Sequence, residues 1–409
     1  MKTGMNDGKY IVLKRGGQIL SLLFCGSRLI SAHAEEERRE ESLLGNIYVA
    51  RVKNVVKNIH AAFVEIAPGK NCFLDLQEAK APVLINRCYD GRLMAEDEII
   101  VQVCKEAAKN KPPAVTCALS LDGKYCVVTK GKPGIAYSAK LSAKTKTRLA
   151  GKLEKPDDSP EEYAKKYGII IRTNVKELDT DLTPLVREIA ELSGHLEYIF
   201  RTGIHRTCYS ILMQKPPRYL QKLRDFQPGW CDEIITDEED IYESIRHFIE
   251  ENPDFHLPAV RFYQDGQMPL AKLYAVETRL KEALEKKVWL KSGGYLLIEP
   301  TEALTVIDVN TGKVTAKKEV QENHFQINME AAEEIARQLS LRNLSGIIIV
   351  DFINMPKEKY RQILMEHLEE LLRKDTVKTA LVDITALGLA EITRMKTDKP
   401  LSEQLIRHS

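Results

Sequence analysis

The chain has no apolar run approaching the length of a membrane-spanning helix, and residues 1–9 are polar, without the apolar core of a secretory leader. Both absences point to a cytoplasmic protein. Its eight cysteines form no Cys-x-x-Cys pair and no pairing with histidine at zinc-finger spacing, which excludes a sequence-readable disulfide framework or zinc cluster and leaves free thiols in a reducing compartment. Charge of one sign is lacking too. With 60 basic and 59 acidic residues the net charge is +1, so there is no blanket basic surface, although a local basic groove is enough to neutralise phosphates. Low-complexity tracts and obvious internal repeats are also missing. What remains is a globular composition in 409 residues, enough for two to three domains at roughly one per 150 residues.

The clearest chemical pattern lies in residues 304–355. Leu-Thr-Val-Ile-Asp-Val-Asn (304–310) and Gly-Ile-Ile-Ile-Val-Asp-Phe (346–352) are short β-branched runs ending in a carboxylate, as strands buried on both faces read. Between them, residues 328–344 place Ala331, Ala332, Ile335 and Leu339 at helical spacing, with Glu330, Glu333 and Glu334 reading as a first turn and Asn328 as its cap. Strand, helix, strand predicts a parallel pair with a crossover. Asp308 and Asp351 then meet on one edge of the sheet, where open α/β sheets place ligands. With the amide of Asn310 they form an all-oxygen site suited to magnesium, and water on such an ion is a stronger acid than bulk water. Taken singly, an Asp after a strand more often just starts a turn.

The rest of the chain supplies candidates of lower specificity. Residues 10–13 and 18–23 flank Lys-Arg-Gly-Gly, a hairpin signal, and the charged run 35–41 reads as a solvated face or linker. Five short strands, residues 46–52, 61–66, 72–76, 99–104 and 115–121, predict a small closed barrel of the OB-fold kind. Alternation turns Ala62, Val64, Ile66, Cys72, Leu74 and Leu76 inward. It leaves Phe63 and Phe73 among polar residues, placed either to stack on unpaired bases or as ordinary surface aromatics. Residues 168–171 form a buried strand that ends in Arg172 and Thr173. That guanidinium fork and hydroxyl suit phosphate, but such a pair in a loop more often meets solvent.

Several of these stretches resemble one known family. They are Gly-Asn-Ile-Tyr (45–48), Ala-Ala-Phe-Val-Glu (61–65), Ile-Asp-Val-Asn-Thr-Gly-Lys (307–313), Asn-Met-Glu-Ala-Ala-Glu-Glu-Ile-Ala-Arg-Gln-Leu (328–339), Gly-Ile-Ile-Ile-Val-Asp-Phe-Ile-Asn-Met (346–355) and Thr-Ala-Leu-Gly-Leu-Ala-Glu-Ile-Thr-Arg (385–394). Each is similar to segments of the ribonuclease E and ribonuclease G family. The resemblance implies an α/β and β multidomain chain. A ribonuclease H-like subdomain would comprise residues 1–44 and 206–283, with an OB-fold RNA-binding barrel (45–118) and a 5′-sensor region (119–205) inserted, followed by a DNase I-like α/β catalytic domain (284–409). It further implies that Asp308 and Asp351 hold magnesium and that Asn310 orients the scissile phosphate. Phe63, Phe73 and Lys111 would contact RNA, and Arg172, Thr173 and backbone near Gly134 would hold a terminal 5′-monophosphate.

The activity so implied is hydrolysis of single-stranded RNA by metal-activated water, leaving 5′-phosphate and 3′-hydroxyl ends, in the processing of rRNA precursors or the decay of mRNA. Two alternatives stand beside it: a non-cleaving RNA-binding protein that uses the same barrel surface, and a metal-dependent DNA nuclease. Members of the family usually continue into a Cys-Pro-x-Cys zinc link that joins protomers. Between Arg394 and Ser409 there is no cysteine and a single histidine, His408, so neither structural zinc nor a zinc-linked dimer is expected.

Overall fold

A computed structural model describes the chain outside residues 1–6, 38–42, 80–81, 108–110, 154–159, 179–180, 227–228, 313–319, 386 and 406–409. Lys313 of the 307–313 motif, residues 38–41 of the charged run, and His408 fall outside the described residues. The chain divides into two compact units, Met1–Glu37 with Gly229–Glu251 and Leu257–Ser409, and Arg38–Pro228 with Asn252–His256. No helix among the described residues is long and apolar enough to cross a membrane.

The first unit starts with a meander of β1 (Gly8–Arg15), β2 (Gln18–Cys25) and β3 (Arg28–Glu36). Gly16 and Gly17 join β1 to β2 with φ of 56° and 73°, the two-residue turn whose twist matches that of the strands. The start of the charged run is not a linker. Glu35 and Glu36 end β3, because Ala32 and Ala34 are buried against the sheet's core and carry the strand into the acidic stretch.

The second unit opens with β4 (Ile47–Val56), β5 (Ala61–Ala67), β6 (Lys70–Asp75), β7 (Glu98–Lys105) and β8 (Ala114–Thr116). They pair in the order β4-β5-β6-β8-β7, and β7 returns to β4, which closes a five-stranded OB-like barrel. Ala62, Val64, Ile66, Cys72 and Leu74 are wholly buried inside it, whereas Leu76 has left the strand for a short turn and is half-buried. Residues 115–121 are two strands and not one. The Thr116 hydroxyl accepts the Ala118 N–H at 3.0 Å and turns the chain. Beyond it β9 (Ser120–Asp122) joins β10 (Cys126–Thr129), β11 (Gly134–Tyr137) and β12 (Gly168–Ile171) in a separate sheet. Helices α1 (Ala143–Leu153), α2 (Pro160–Lys166) and α3 (Thr183–Gly203) accompany this sheet, and Leu185, Ile189 and Leu196 of α3 pack with Ile169 and Ile171 of β12. A short β13 (Ile211–Met213) pairs with β4, so the beginning of residues 206–283 adds to the barrel sheet; α4 (Arg218–Asp225) follows.

Returning to the first unit, β14 (Glu233–Thr236) lies parallel to β1, and after α5 (Glu239–Glu251) β15 (Val260–Phe262) lies parallel to β14. Helices α6 (Leu270–Leu273) and α7 (Val276–Leu284) lead to a second sheet. It comprises β16 (Lys287–Trp289), β17 (Tyr295–Pro300), β18 (Leu304–Asn310), β19 (Gly346–Asp351), β20 (Thr379–Ile384) and β21 (Ala390–Arg394), in the order β16-β17-β18-β19-β21-β20. Its one parallel pair, β18 with β19, is joined through α8 (Val320–Leu341). The helix therefore begins eight residues before Asn328, which is an interior position and not its cap.

One face of this sheet is covered by α8 and by α9 (Glu358–Arg373): Ile307, Val309, Ile348 and Val350 pack with Ala331, Ile335, Leu339, Leu364 and Leu368. The other face is open. Val306 is 38% and Ile347 50% exposed, so the two strands are not buried on both sides as their apolar runs suggested.

A buried carboxylate ties α8 to β3. Glu334 accepts hydrogen bonds from Arg28, Arg337 and Gln338, and Arg337 also donates to the carbonyl of Leu29. Burial alone would raise the Glu334 carboxyl, but Arg337, Gln338 and Arg28 together hold it below the ordinary glutamate range. Glu334→Ala strands the Arg337 guanidinium beside a buried carboxylate site, and the urea midpoint should report a loss of about 3 kcal/mol. Since the folded value lies below the unfolded one near ~4.3, the contribution is present above roughly pH 5 and fades as pH falls through the folded value. The difference between parent and variant should accordingly narrow in acid.

Candidate active site

In β18 the side chains alternate, so Val306, Asp308 and Asn310 share the open face while Thr305, Ile307 and Val309 point toward the helices. Asp308 is directly paired with Asp351 at the end of β19, which sets the two carboxylates on adjacent strands in one row. Asp308 is half-buried and Asp351 exposed. The Asn310 amide donates to Asp308 Oδ2 at 2.7 Å, fixing that carboxylate's rotation.

Backbone on both sides of this row is held closely. Gly294 lies against the end of β18, where a Cβ would stand 2.8 Å from the Asn310 carbonyl oxygen; Gly312, at φ 64°, is pressed against the Gly293 carbonyl. Glu330 of α8 accepts the N–H groups of Lys291 and Ser292, at 2.5 and 3.0 Å, and so fastens the same turn to the helix. Beyond Asp351, wholly buried Asn328 donates to the Ile353 carbonyl at 2.8 Å and accepts the Ile353 N–H at 3.1 Å. Asn328 and Glu330 thus clamp the loops beside the two aspartates.

The donor set matches a hydrated hard cation. Among the described residues no group of three or more His, Cys, Asp and Glu could cage a metal. Two carboxylates and an amide suit an ion that keeps several waters, as magnesium does, and not one that demands a full set of protein ligands. Of the sequence-predicted residues, the fold brings Asp308 and Asn310 of one strand together here with Asp351, some forty residues later.

In the barrel, Phe63 and Phe73 are directly paired across β5 and β6, with ring centroids 6.3 Å apart and planes at 79°. Both are half-buried on the outer surface. Lys111 is exposed in the loop that enters β8, and Phe73 N–H donates to Pro113 of that loop at 2.8 Å.

Arg172 and Thr173 follow the C-terminal end of β12. Arg172 Nη1 donates to the Gly123 carbonyl and to Asp225 Oδ1 at 2.9 Å, and its N–H donates to the Tyr125 carbonyl at 2.8 Å. Burial pushes the Asp225 carboxyl up, yet Arg224 and Arg172 beside it hold it below the usual range. The turn at Gly123 is fixed by Glu188 of α3, whose carboxylate accepts the N–H groups of Lys124, Tyr125 and Cys126 at 2.5, 2.8 and 2.8 Å. Gly134, by contrast, is paired with Gly168 at the opposite end of β12, roughly 13 Å along the strand from Arg172. The glycine that the fold brings to Arg172 is Gly123. No local pattern marks it in the sequence, and neither Glu188 nor Asp225 stands out there.

Asn328→Ala leaves the Ile353 N–H and carbonyl without partners in a buried place, and should lower stability by about 2 kcal/mol in urea melts. Hydrogen exchange should also quicken at residues 352–354. Unchanged exchange there would show that Asn328 does not hold the loop after Asp351.

The model of the Ribonuclease E/G family matches residues 120–397. Ribonuclease G of Escherichia coli strain K12 is 32% identical over 399 residues, covering 93% of this chain and 78% of that protein. Ribonuclease E of Haemophilus influenzae is 31% identical over 395 residues (92% of this chain, 40% of that protein), and ribonuclease E of Synechocystis is 30% identical over 370 residues (88% and 53%). With the family's model spanning most of the length and relatives aligned over nearly all of it, the chain belongs to the ribonuclease E/G family.

Proposed function

We propose that this chain, an endoribonuclease of its family, hydrolyses single-stranded RNA at the open face of the second sheet, with Asp308 and Asp351 holding magnesium. The observation that carries the reading is the parallel register that pairs Asp308 with Asp351, together with the hydrogen bond from Asn310 to Asp308. When bound, the ion supplies a Lewis acid that withdraws charge from the phosphate and acidifies a coordinated water. Asp308 and Asp351 fix where that chemistry occurs. Asn310, two residues further along β18 on the same face, orients a non-bridging phosphate oxygen. Water oxygen bonds to phosphorus and the bond to the 3′ oxygen breaks, leaving a 3′-hydroxyl on one fragment and a 5′-phosphate on the other.

Phe63 and Phe73 offer faces for unpaired bases and Lys111 a charge for the backbone, as single-strand binders combine them. Arg172 and Thr173 take the terminal 5′-monophosphate, with Gly123 as the neighbouring backbone. Arg172 presents Nε and Nη2 to that phosphate while Nη1 stays with Asp225 and Gly123. The first sheet is the ribonuclease H-like scaffold and the second the DNase I-like domain; the setting is cytoplasmic RNA processing and decay.

Asp308→Asn and Asp351→Asn should each lower cleavage of an A/U-rich oligonucleotide by roughly 100-fold or more, with anisotropy showing RNA binding nearly unchanged. Cleavage near the parent rate in both would remove the site assignment, and cleavage by neither parent nor variant would favour the non-cleaving reading. Arg172→Ala should bring the rate on 5′-monophosphorylated RNA down to that on 5′-hydroxyl RNA and leave the latter as it was. Equal losses on both substrates would assign Arg172 a structural role.

A further inference from the structure

The open face of the second sheet carries more than the carboxylates. Cross-strand pairing builds two adjacent rows on it. One runs Lys287, Leu297, Asp308, Asp351 across β16 to β19, and the next runs Trp289, Tyr295, Asn310 across β16 to β18. Directly paired residues share a face, so Trp289 and Tyr295 stand beside Asn310 on the side that bears Asp308 and Asp351. At one strand spacing of about 4.8 Å per step, Trp289 is roughly 10 Å from Asn310 along the row.

These aromatics are not core residues. Trp289 is 64% exposed, and its ring meets Tyr295 edge-on with centroids 5.4 Å apart. Lys287 Nζ lies 3.9 Å from the Trp289 centroid and 3.8 Å from that of Tyr295, so one ammonium braces both rings. The result is an aromatic surface with a cation against it, on the two strands next to β18 and its carboxylate. An exposed ring of this size held in one orientation suits a flat, apolar partner, and the ammonium suits a negative group attached to that partner. A nucleotide has both.

We infer that Trp289, Tyr295 and Lys287 form a stacking platform for one nucleotide of the RNA flanking the scissile phosphate, with the base on Trp289 and a backbone phosphate toward Lys287. This rests on the reading of Asp308 and Asp351 above, and it makes Trp289 a positioning residue that adds to the stacking offered by the barrel. It commits to unpaired RNA, because a paired base does not present its face to a ring.

The test uses the full chain. In a Trp230→Phe background Trp289 is the sole tryptophan, and single-stranded oligonucleotide added in the presence of a chelator should quench its emission while duplex RNA should not. A series of substrates, each abasic at one successive position, is then cleaved with magnesium. With the parent, one position flanking the cut should lower kcat/KM roughly tenfold, toward the lower end of the range for one stacked base. Trp289→Ala should lose the same factor on intact RNA and nothing more on that abasic substrate, while Trp289→Phe should recover most of it. Two results overturn the platform: Trp289→Ala cutting intact RNA like the parent, or losing a further tenfold on every abasic substrate. Emission that ignores RNA but shifts with protein concentration also overturns it, since Trp289 would then face another copy of the chain. Quenching without any cleavage by the parent would refute hydrolysis and leave the platform standing, so the two failures are distinguishable.

Discussion

Parallel strands cannot be joined by a tight turn, and that constraint shapes the candidate site. To pair Asp308 with Asp351 the chain must cross the sheet, and it does so through α8, 22 residues and roughly 33 Å long. The crossing helix then does three things at once. Its apolar positions, Ala331, Ile335 and Leu339, fill the space over β18 and β19; Glu330 and Asn328 hold the loops on either side of the aspartates; Glu334 ties the assembly to β3. Connection, packing and positioning are carried by one element, so a change in its register would disturb all three.

How much of this could be read beforehand varies with the range of the interaction. Strand-helix-strand at residues 304–352 was legible because strand and helix periods differ, and the barrel's inward positions were legible because alternation is local. Asn328 reads as a helix cap but sits inside α8. An Asn followed by acids is the local signature of a helix start, and nothing nearby in sequence shows that its amide meets the backbone of Ile353. The same applies to Arg172, whose neighbours Gly123 and Asp225 lie some fifty residues away on either side. The apolar runs of β18 and β19 read as buried on both sides, yet Val306 and Ile347 are exposed, because hydrophobicity alone does not say which face is covered.

The two charged centres deal with burial in opposite ways. Asp308 and Asp351 stand side by side with an amide as their sole side-chain partner among the described residues, an arrangement that favours a cation between them. Arg172 is matched to Asp225, which compensates a half-buried guanidinium and fixes the direction of its fork. Among the described residues the first centre has no cationic side chain to balance its carboxylates, whereas the second balances its charge within the protein.

The pairing of β1 with β14 bears on how the chain is made. Gly8 donates to Asp232, 224 residues later, across that junction. At about 5–20 residues per second of synthesis, some 11 to 45 s separate the emergence of the two strands. Throughout that interval the β1–β3 meander presents β1 as an open edge, while all of Arg38–Pro228 is being added behind it. Lys9, Lys14 and Arg15 bracket the apolar middle of β1, and charges so placed discourage a nascent edge from pairing with a neighbouring chain before its own partner is made.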